Sequence, residues 1–353
     1  MRDSQRRSDA LALAAVALLV LVVLPAVLDP FRLNLMSKYM AFAFVAIGIV
    51  LTWGYGGVLS LGQGIFFGLG GYMMAMFLKL EASGAELPDF MVWSSVEALP
   101  VWWLPFRHLG WTILGIVVLP AAGAYLFSYA IFRKRVSGVY FSIVTLALAL
   151  TLTVVVIGQQ GDTGGANGIT DFRTLLGWDI TSDASKRWLY FIEAGALVLT
   201  MLASLWIVRS RFGKILIAIR DREDRVRFSG YNTAHMKAFV FGVAALLSAI
   251  GGAFYSLQVG LIGPGVIGVV ASVEMVIYAA VGGRLSVPGA VVGALLIGFL
   301  KSYLSETFPQ SWLYCLGTLF IVVVWAMPNG LAGLFGQMSW LGHARRPQRQ
   351  AAP

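Results

Sequence analysis

The sequence predicts an all-α polytopic membrane protein of about ten hydrophobic membrane elements, with both termini cytoplasmic and some helices interrupted or re-entrant. Three observations predict it. Of the 353 residues, 58% are hydrophobic and only 12% are charged, with a mean hydropathy of +0.80. Soluble domains carry roughly 25% charged residues, so a water-soluble all-α core does not fit. The charges are also segregated: no Asp, Glu, Lys or Arg falls at 10–28, 39–78, 108–132, 136–161, 238–273 or 307–342. One crossing takes about 20 apolar residues, so several of these runs hold one element each and the longest hold two. Finally, Lys and Arg concentrate in alternate connections.

Residues 10–28 follow Arg2, Arg6 and Arg7 and resemble a signal peptide in outline. The run lacks a clear small-residue cleavage site and more spans follow it, so it reads as a retained first helix. The charge-free stretch 39–78 is too long for one crossing and divides into elements at 36–53 and 58–78 around a glycine-dense middle. Elements at 110–132 and 136–158 flank Arg133-Lys134-Arg135. The next, 189–208 and 238–260, flank a long basic stretch, and 266–283 and 286–304 meet at Arg284. The last, 312–335, holds Cys315, the lone cysteine, which cannot form an internal disulfide and reads as a packed side chain. Residues 1–342 thus form one integral-membrane domain, with a cytoplasmic loop at about 209–236 and a basic cytoplasmic tail at 343–353.

With the N-terminus inside, the cytoplasmic connections and termini hold 18 of the 26 Lys and Arg, while the outer connections and the spans hold 12 of the 17 acids. This is the positive-inside bias. The net charge of +9 therefore follows from topology and calls for no nucleic acid.

The most polar, glycine-dense passage is "QQGDTGGANGITDF" at 159–172. Topology places it outside, and it lacks the lysine of a phosphate-binding G-x-x-x-x-G-K-[ST] loop, so a nucleotide site is disfavoured. It reads either as a glycine-rich turn or as the mouth of a substrate path, with Thr163, Gly164, Gly165 and Asn167 as candidates. A second glycine-dense stretch, Gly54 to Gly64, lies where two crossings must be divided. Glycines this dense favour a turn or unwound backbone whose peptide groups need partners. Gly57, Ser60 and Gln63 are candidates for a translocation path, and close helix packing is the competing reading. Gly56-Gly57-Val58-Leu59-Ser60 and Gly282-Gly283-Arg284-Leu285-Ser286 share the pattern G-G-x-L-S at two cytoplasmic hairpins, as a parallel internal repeat would. Glu274 is an acid within a span and joins the path candidates. His108, His235 and His343 all fall at or near element ends, which disfavours proton coupling.

The longest inside connection, Arg211 to Asn232, suits a short helix, with Ile215, Ile219, Arg222 and Val226 at helical spacing and Gly230 as a stop. A short isolated helix is marginal in water, so this one is expected to dock on something. A solvated positive-inside loop is the plainer alternative, and a groove of a cytoplasmic partner is the sharper one.

Four passages carry a resemblance to a known family: "YGGVLSLGQGIFFGLGGY" at 55–72, "SGVYFSIVTLALA" at 137–149, "FGKILIAIRDREDRVRFSGYN" at 212–232 and "SVEMVIYAAVGG" at 272–283. They resemble the LivM-type permease family of ATP-binding-cassette (ABC) importers, which carries branched-chain amino acids and related small polar solutes. The likeness runs from about Gly54 to Gly333. "TGGANGITDFRTLLGWDI" at 163–180, "AIRDREDRVRFSGYNTAHMKAFVF" at 218–241 and "KSYLSETFPQSWLYCLGTLFIVVVWAMPNGLAGL" at 301–334 resemble most the urea-transport branch, the UrtC type. Two departures stand out: the hairpin at Arg284 lacks a further glycine often found beside it, and Arg222 and Arg225 make the loop more basic than usual.

The resemblance implies a multi-pass protein of the plasma (inner) membrane that works in an assembly. A second, homologous permease subunit, two cytoplasmic ABC ATPases and an extracytoplasmic solute-binding protein would be its partners, besides membrane lipid. ATP and Mg would be bound by the ATPases, and this chain would bind no cofactor or metal. The loop residues Ala218, Ile219, Arg220, Asp221, Glu223, Asp224 and Gly230 would couple it to an ATPase. The expected solute is urea or a short-chain amide, with branched-chain amino acids as the alternative within the family. A stand-alone secondary transporter or channel fits less well, because intramembrane acids are scarce and the loop calls for a partner. A membrane-embedded enzyme would need clustered nucleophile, metal or acid–base groups, and none is visible.

Overall fold

A computed structural model describes residues 2–136, 138–326 and 330–333. The expected end of the last element, the domain limit at 342 and the basic tail at 343–353 lie outside the described residues. Among the described residues, eight helices are long and apolar enough to cross a membrane. They are α1 (Ala10–Val27), α2 (Pro30–Tyr55), α3 (Gln63–Ser83), α4 (Leu109–Arg133), α5 (Val139–Gly158), α6 (Asp183–Arg209), α8 (Thr233–Val259) and α10 (Val287–Thr307). A polar helix α7 (Arg211–Phe228) and two shorter apolar helices, α9 (Val269–Gly282) and α11 (Trp312–Ala326), join them. All ten expected hydrophobic elements are therefore present.

Helix α8 is the central post. It packs against α2, α3 and α4, while α10 and α9 pack on α2 and on each other. Small residues let the backbones close in: a Cβ at Gly70 would sit 2.0 Å from the Ala249 carbonyl oxygen, and one at Gly252 only 1.8 Å from that of Phe67. Without a hydrophobic force between helices in lipid, such close van der Waals contact supplies the association. By contrast, α4 and α5 turn most of their apolar surface outward, with Leu126, Val139, Tyr140 and Val154 all more than 60% exposed. An apolar outer face of this kind is the natural surface of a chain embedded in lipid.

Most helix limits lie a few residues from expectation, and two of these shifts bear on the site. The third element was expected at 58–78, yet α3 begins at Gln63 and ends at Ser83. Residues 57–62 are unwound, because glycines at 54, 56, 57, 62 and 64 remove the preference for helix. The eighth element was expected at 266–283, yet α9 has only 14 residues, about 21 Å of rise, against a hydrocarbon core of about 30 Å. Its missing part is the outer connection, where Pro264–Val266 forms a single tight turn and β4 (Leu261–Ile262) pairs with β1 (Ile169–Thr170). A second small ribbon joins β2 (Thr174–Leu175) to β3 (Trp178–Asp179) in the same outer region.

Candidate functional site

The unwound segment leads from the cytoplasmic face to mid-membrane. Helix α2 widens into a π-helical turn at Val50–Tyr55 before it stops. Eight residues later Gln63 opens α3, its side-chain oxygen accepting a 3.0 Å hydrogen bond from the Ser248 hydroxyl. Ser248 lies roughly 22 Å along α8 from its cytoplasmic end, near the middle of that helix. The N-terminus of α9 reaches the same region, because Gly64 N–H donates to Ser272 Oγ at 3.2 Å. Two interrupted elements thus present their N-termini to one another at depth, an arrangement that recurs where transporters hold solute.

Peptide groups freed in hydrocarbon each cost several kcal/mol unless they are paired. Here neighbouring hydroxyls pair them. Ser142 Oγ donates to Leu59 O at 2.7 Å, Leu61 N–H donates to Thr145 Oγ1 at 3.1 Å, and Gly62 N–H donates to Ser60 Oγ at 3.2 Å. Ser60 and Gln63 are both buried, and the Gln63 amide nitrogen has no partner among the described residues. The region is therefore lined with hydroxyls and amides and retains one unused donor.

Glu274 sits elsewhere, on the α9 face toward α10. Its carboxylate accepts from Tyr278 Oη at 2.6 Å and lies 2.8 Å from Lys301 Nζ. The partner that sequence left unnamed is thus Lys301 on the next helix, with the Tyr39–Ser302 hydroxyl pair beside it. The four path candidates fall at three places: Gly57 at the cytoplasmic face, Ser60 and Gln63 at mid-membrane, and Glu274 at the α9–α10 contact. One acid was not singled out from sequence. Glu193 in α6 is fully buried, accepts from Gln258 Nε2 at 3.4 Å, and has its other oxygen unpartnered. Its position inside the apolar run 189–208 was the available signal.

At the cytoplasmic face the two G-G-x-L-S hairpins meet. A Cβ at Gly54 would lie 1.7 Å from the Arg284 carbonyl oxygen, Tyr55 Oη donates to Leu285 O at 2.7 Å, and the Arg284 guanidinium lies 6.0 Å from the Trp53 ring centre. Helix α7 joins them through Arg220, whose Nη1 donates to Gly54 O at 2.7 Å while Nε pairs with Asp221 at 2.9 Å. The Arg220 stem lies over Gly57, where a Cβ would be 2.8 Å from Arg220 Cγ and where φ is +69°. Only glycine meets both demands at that position.

Helix α7 is longer than the short helix expected, and it bends at Arg222, where φ is −152° and ψ is 75°. Ser210 caps it by accepting from Gly213 N–H. Leu216 and Ile219 are buried, Leu216 against Leu51 and Val240, so the expected docking is first of all onto α2 and α8 of this chain. Beyond the bend, Glu223 holds α7 to α8 by accepting from Lys237 Nζ at 2.5 Å and Thr233 Oγ1 at 3.0 Å. Burial raises the Glu223 pKa, but the Lys237 ammonium, the Thr233 hydroxyl and Arg227 outweigh it and hold the carboxyl below its ordinary range. Ala218, Asp221, Asp224 and Gly230 remain exposed.

The outer glycine-rich loop is a compact cap. Thr163 turns its hydroxyl inward to the carbonyls of Val156 and Gln159, at 2.7 and 2.8 Å. Gly165 is buried, and Gly164 and Asn167 border a small cleft of about 130 Å³ together with Lys79, Asp89, Trp93 and Asp171. Gly168 has φ +72° and no room for a Cβ against the Ile262 carbonyl, which is what allows β1 to close on β4. Among the described residues, no group of three or more His, Cys, Asp or Glu is placed to hold a metal ion.

Comparison with known proteins adds to this geometry. Residues 31–325 match the family described as branched-chain amino acid transport system / permease component. The chain is 24% identical over 340 residues to the high-affinity branched-chain amino acid transport system permease protein LivM of Escherichia coli (strain K12), covering 90% of this chain and 73% of that one. It is 21% identical over 298 residues to the corresponding protein BraD of Pseudomonas aeruginosa, covering 83% and 91%. The ribose import permease protein RbsC of Haemophilus influenzae is 24% identical over 332 residues, covering 90% and 92%. No solved structure matches the chain significantly.

Proposed function

The chain belongs to the family of branched-chain amino acid transport permease components, and on that premise we propose that it passes a small, neutral, polar solute: urea or a short-chain amide. It is a multi-pass plasma-membrane permease subunit of an ABC importer and not an enzyme, since ATP is hydrolysed on separate subunits in this family. The observation that carries the solute reading is the mid-membrane meeting of α3 and α9. Its polar groups are uncharged, and the Gln63 amide nitrogen has no partner among the described residues. An amide such as urea offers acceptors and donors to such groups and needs no counter-charge. The passages at 163–180, 218–241 and 301–334 support the same branch by resemblance. Coupling would run through α7 to an ATPase, with a sister permease alongside and a binding protein at the outer cap.

A second reading is uptake of branched-chain amino acids, and the names of LivM and BraD favour it. Uptake of labelled urea and labelled leucine, in cells with and without this chain, separates the two. Loss of urea uptake with leucine uptake intact is the expected result. Unchanged urea uptake would overturn the proposal, and loss of leucine uptake alone would establish the second reading.

A further inference from the structure

We propose that the cytoplasmic cleft between the end of α4 and the α7–α8 junction binds the headgroup of an anionic phospholipid of the inner leaflet. The cleft measures about 580 Å³ and is bordered by Tyr129, Arg133, Arg135, Arg227 and Tyr231. Three guanidinium groups converge on it, and their charges are unevenly met. Arg227 pairs with Glu223 at 3.1 Å and with Asp224 at 3.8 Å, and Glu223 also takes Lys237. Arg133 and Arg135 have no ion-pair partner among the described residues, and both are exposed. Two arginines therefore face a concave space with uncompensated charge. Planar guanidiniums suit phosphate oxygens, which they bind in bidentate fashion.

An acidic protein surface would also match this charge, but the surroundings favour lipid. The cleft opens at the cytoplasmic end of α4, a crossing helix, and takes in Gly230 but not Ala218, Asp221 or Asp224 of α7. Beside it, the first turn of α5 exposes Val139 and Tyr140, 72% and 73% accessible, and Phe228 at the end of α7 is 92% accessible. Val139 and Tyr140 continue into the exposed apolar face of α5 with Ile143 and Val144. A headgroup held by the arginines would thus leave its acyl chains along that face, so one molecule satisfies both the charge and the apolar surface. Basic pockets between helices at the cytoplasmic boundary bind anionic headgroups, at about 1 kcal/mol per Lys or Arg.

The test uses the purified full-length chain in a neutral detergent, titrated with phosphatidylglycerol, phosphatidylcholine or inorganic phosphate. Retained lipid is read by native mass spectrometry, and the thermal midpoint by a dye-free melt. Phosphatidylglycerol is expected to be retained and to raise the midpoint, and the other two are not. The double variant Arg133→Gln, Arg135→Gln should weaken phosphatidylglycerol binding about ten- to thirty-fold, as two contacts of that size imply. Lys134→Gln removes one charge of the same sign between them but does not border the cleft, so it should leave binding unchanged. Both substitutions replace exposed side chains without ion-pair partners, so the lipid-free midpoint of each variant serves as the folding control. Three results would each overturn the proposal: equal binding by the double variant, an equal loss in Lys134→Gln, or an equal effect of inorganic phosphate. A double variant that keeps its lipid but no longer retains ATPase subunits would assign the cleft to protein docking.

Discussion

At the scale of single residues, the most constrained position is Gly54. Any side chain there would meet the Arg284 carbonyl oxygen, a backbone atom that cannot swing aside. Gly54→Ala should therefore push the two hairpins apart and disturb the bond from Arg220, at a cost of about 1–3 kcal/mol. The expected outcome is a protein that still inserts but transports poorly, measured as uptake against the amount of chain recovered in membranes. Normal uptake per inserted chain would show that the hairpin contact is dispensable. Glu274 and Lys301 allow a cleaner measurement. Lys301→Ala leaves a nearly buried carboxylate without its counter-charge, and breaking such a pair is strongly destabilising. Adding Glu274→Gln should recover most of the lost thermal stability, and a double-mutant cycle on the melting midpoint reads that coupling. Independent, additive losses would mean that the two groups do not depend on each other.

Among elements, α7 carries the next expectation. The Glu223 carboxyl lies below its ordinary value of 4.5 because Lys237, Thr233 and Arg227 favour its charged form more than burial opposes it. A depressed folded pKa gives a stabilisation that is complete above the unfolded value and is lost as pH falls through the folded one. The far part of α7 should therefore stay fixed to α8 at neutral pH and loosen only in acid, as pH falls below the ordinary value of 4.5 toward the lower folded one. Hydrogen exchange of segment 223–233, corrected for intrinsic rates, reads this directly. Glu223→Gln should abolish the dependence, and a profile that stays flat in the unsubstituted protein would contradict it. The elements themselves were largely legible, because uninterrupted apolar runs announce crossings whatever surrounds them. The dense glycines between Gly54 and Gly64 announced an interruption for the same local reason. The shortness of α9 was not legible, since the outer connection before it is as apolar as the helix. Nor could sequence place Arg220 on Gly54 or Lys301 on Glu274, because such contacts depend on how distant helices pack. Glu193 was legible and was passed over.

Across the whole molecule, the candidate site is distributed over three depths. The α7 contact lies at the cytoplasmic face, the α3–α9 meeting at mid-membrane, and the β1–β4 closure outside. Partner subunits are expected to act at the first and last. Asp221 is exposed, and Gly230 has φ +84°, a value proline cannot adopt. Asp221→Lys and Gly230→Pro should leave insertion intact while separating ATP hydrolysis from transport in the assembled importer. Parallel assays of hydrolysis and uptake in proteoliposomes check this, and normal coupling in both variants would remove α7 from the role proposed for it.

The segment at 57–62 has one more property. Ser142, Thr145 and Ser272, which belong to α5 and α9, bond its backbone or that of Gly64 beside it. Its conformation is therefore lent by its neighbours. A small slide of α5 or α9 along its own axis would oblige the strand to trade one hydroxyl for the next. In mechanical terms it is a ratchet pawl held by the teeth beside it.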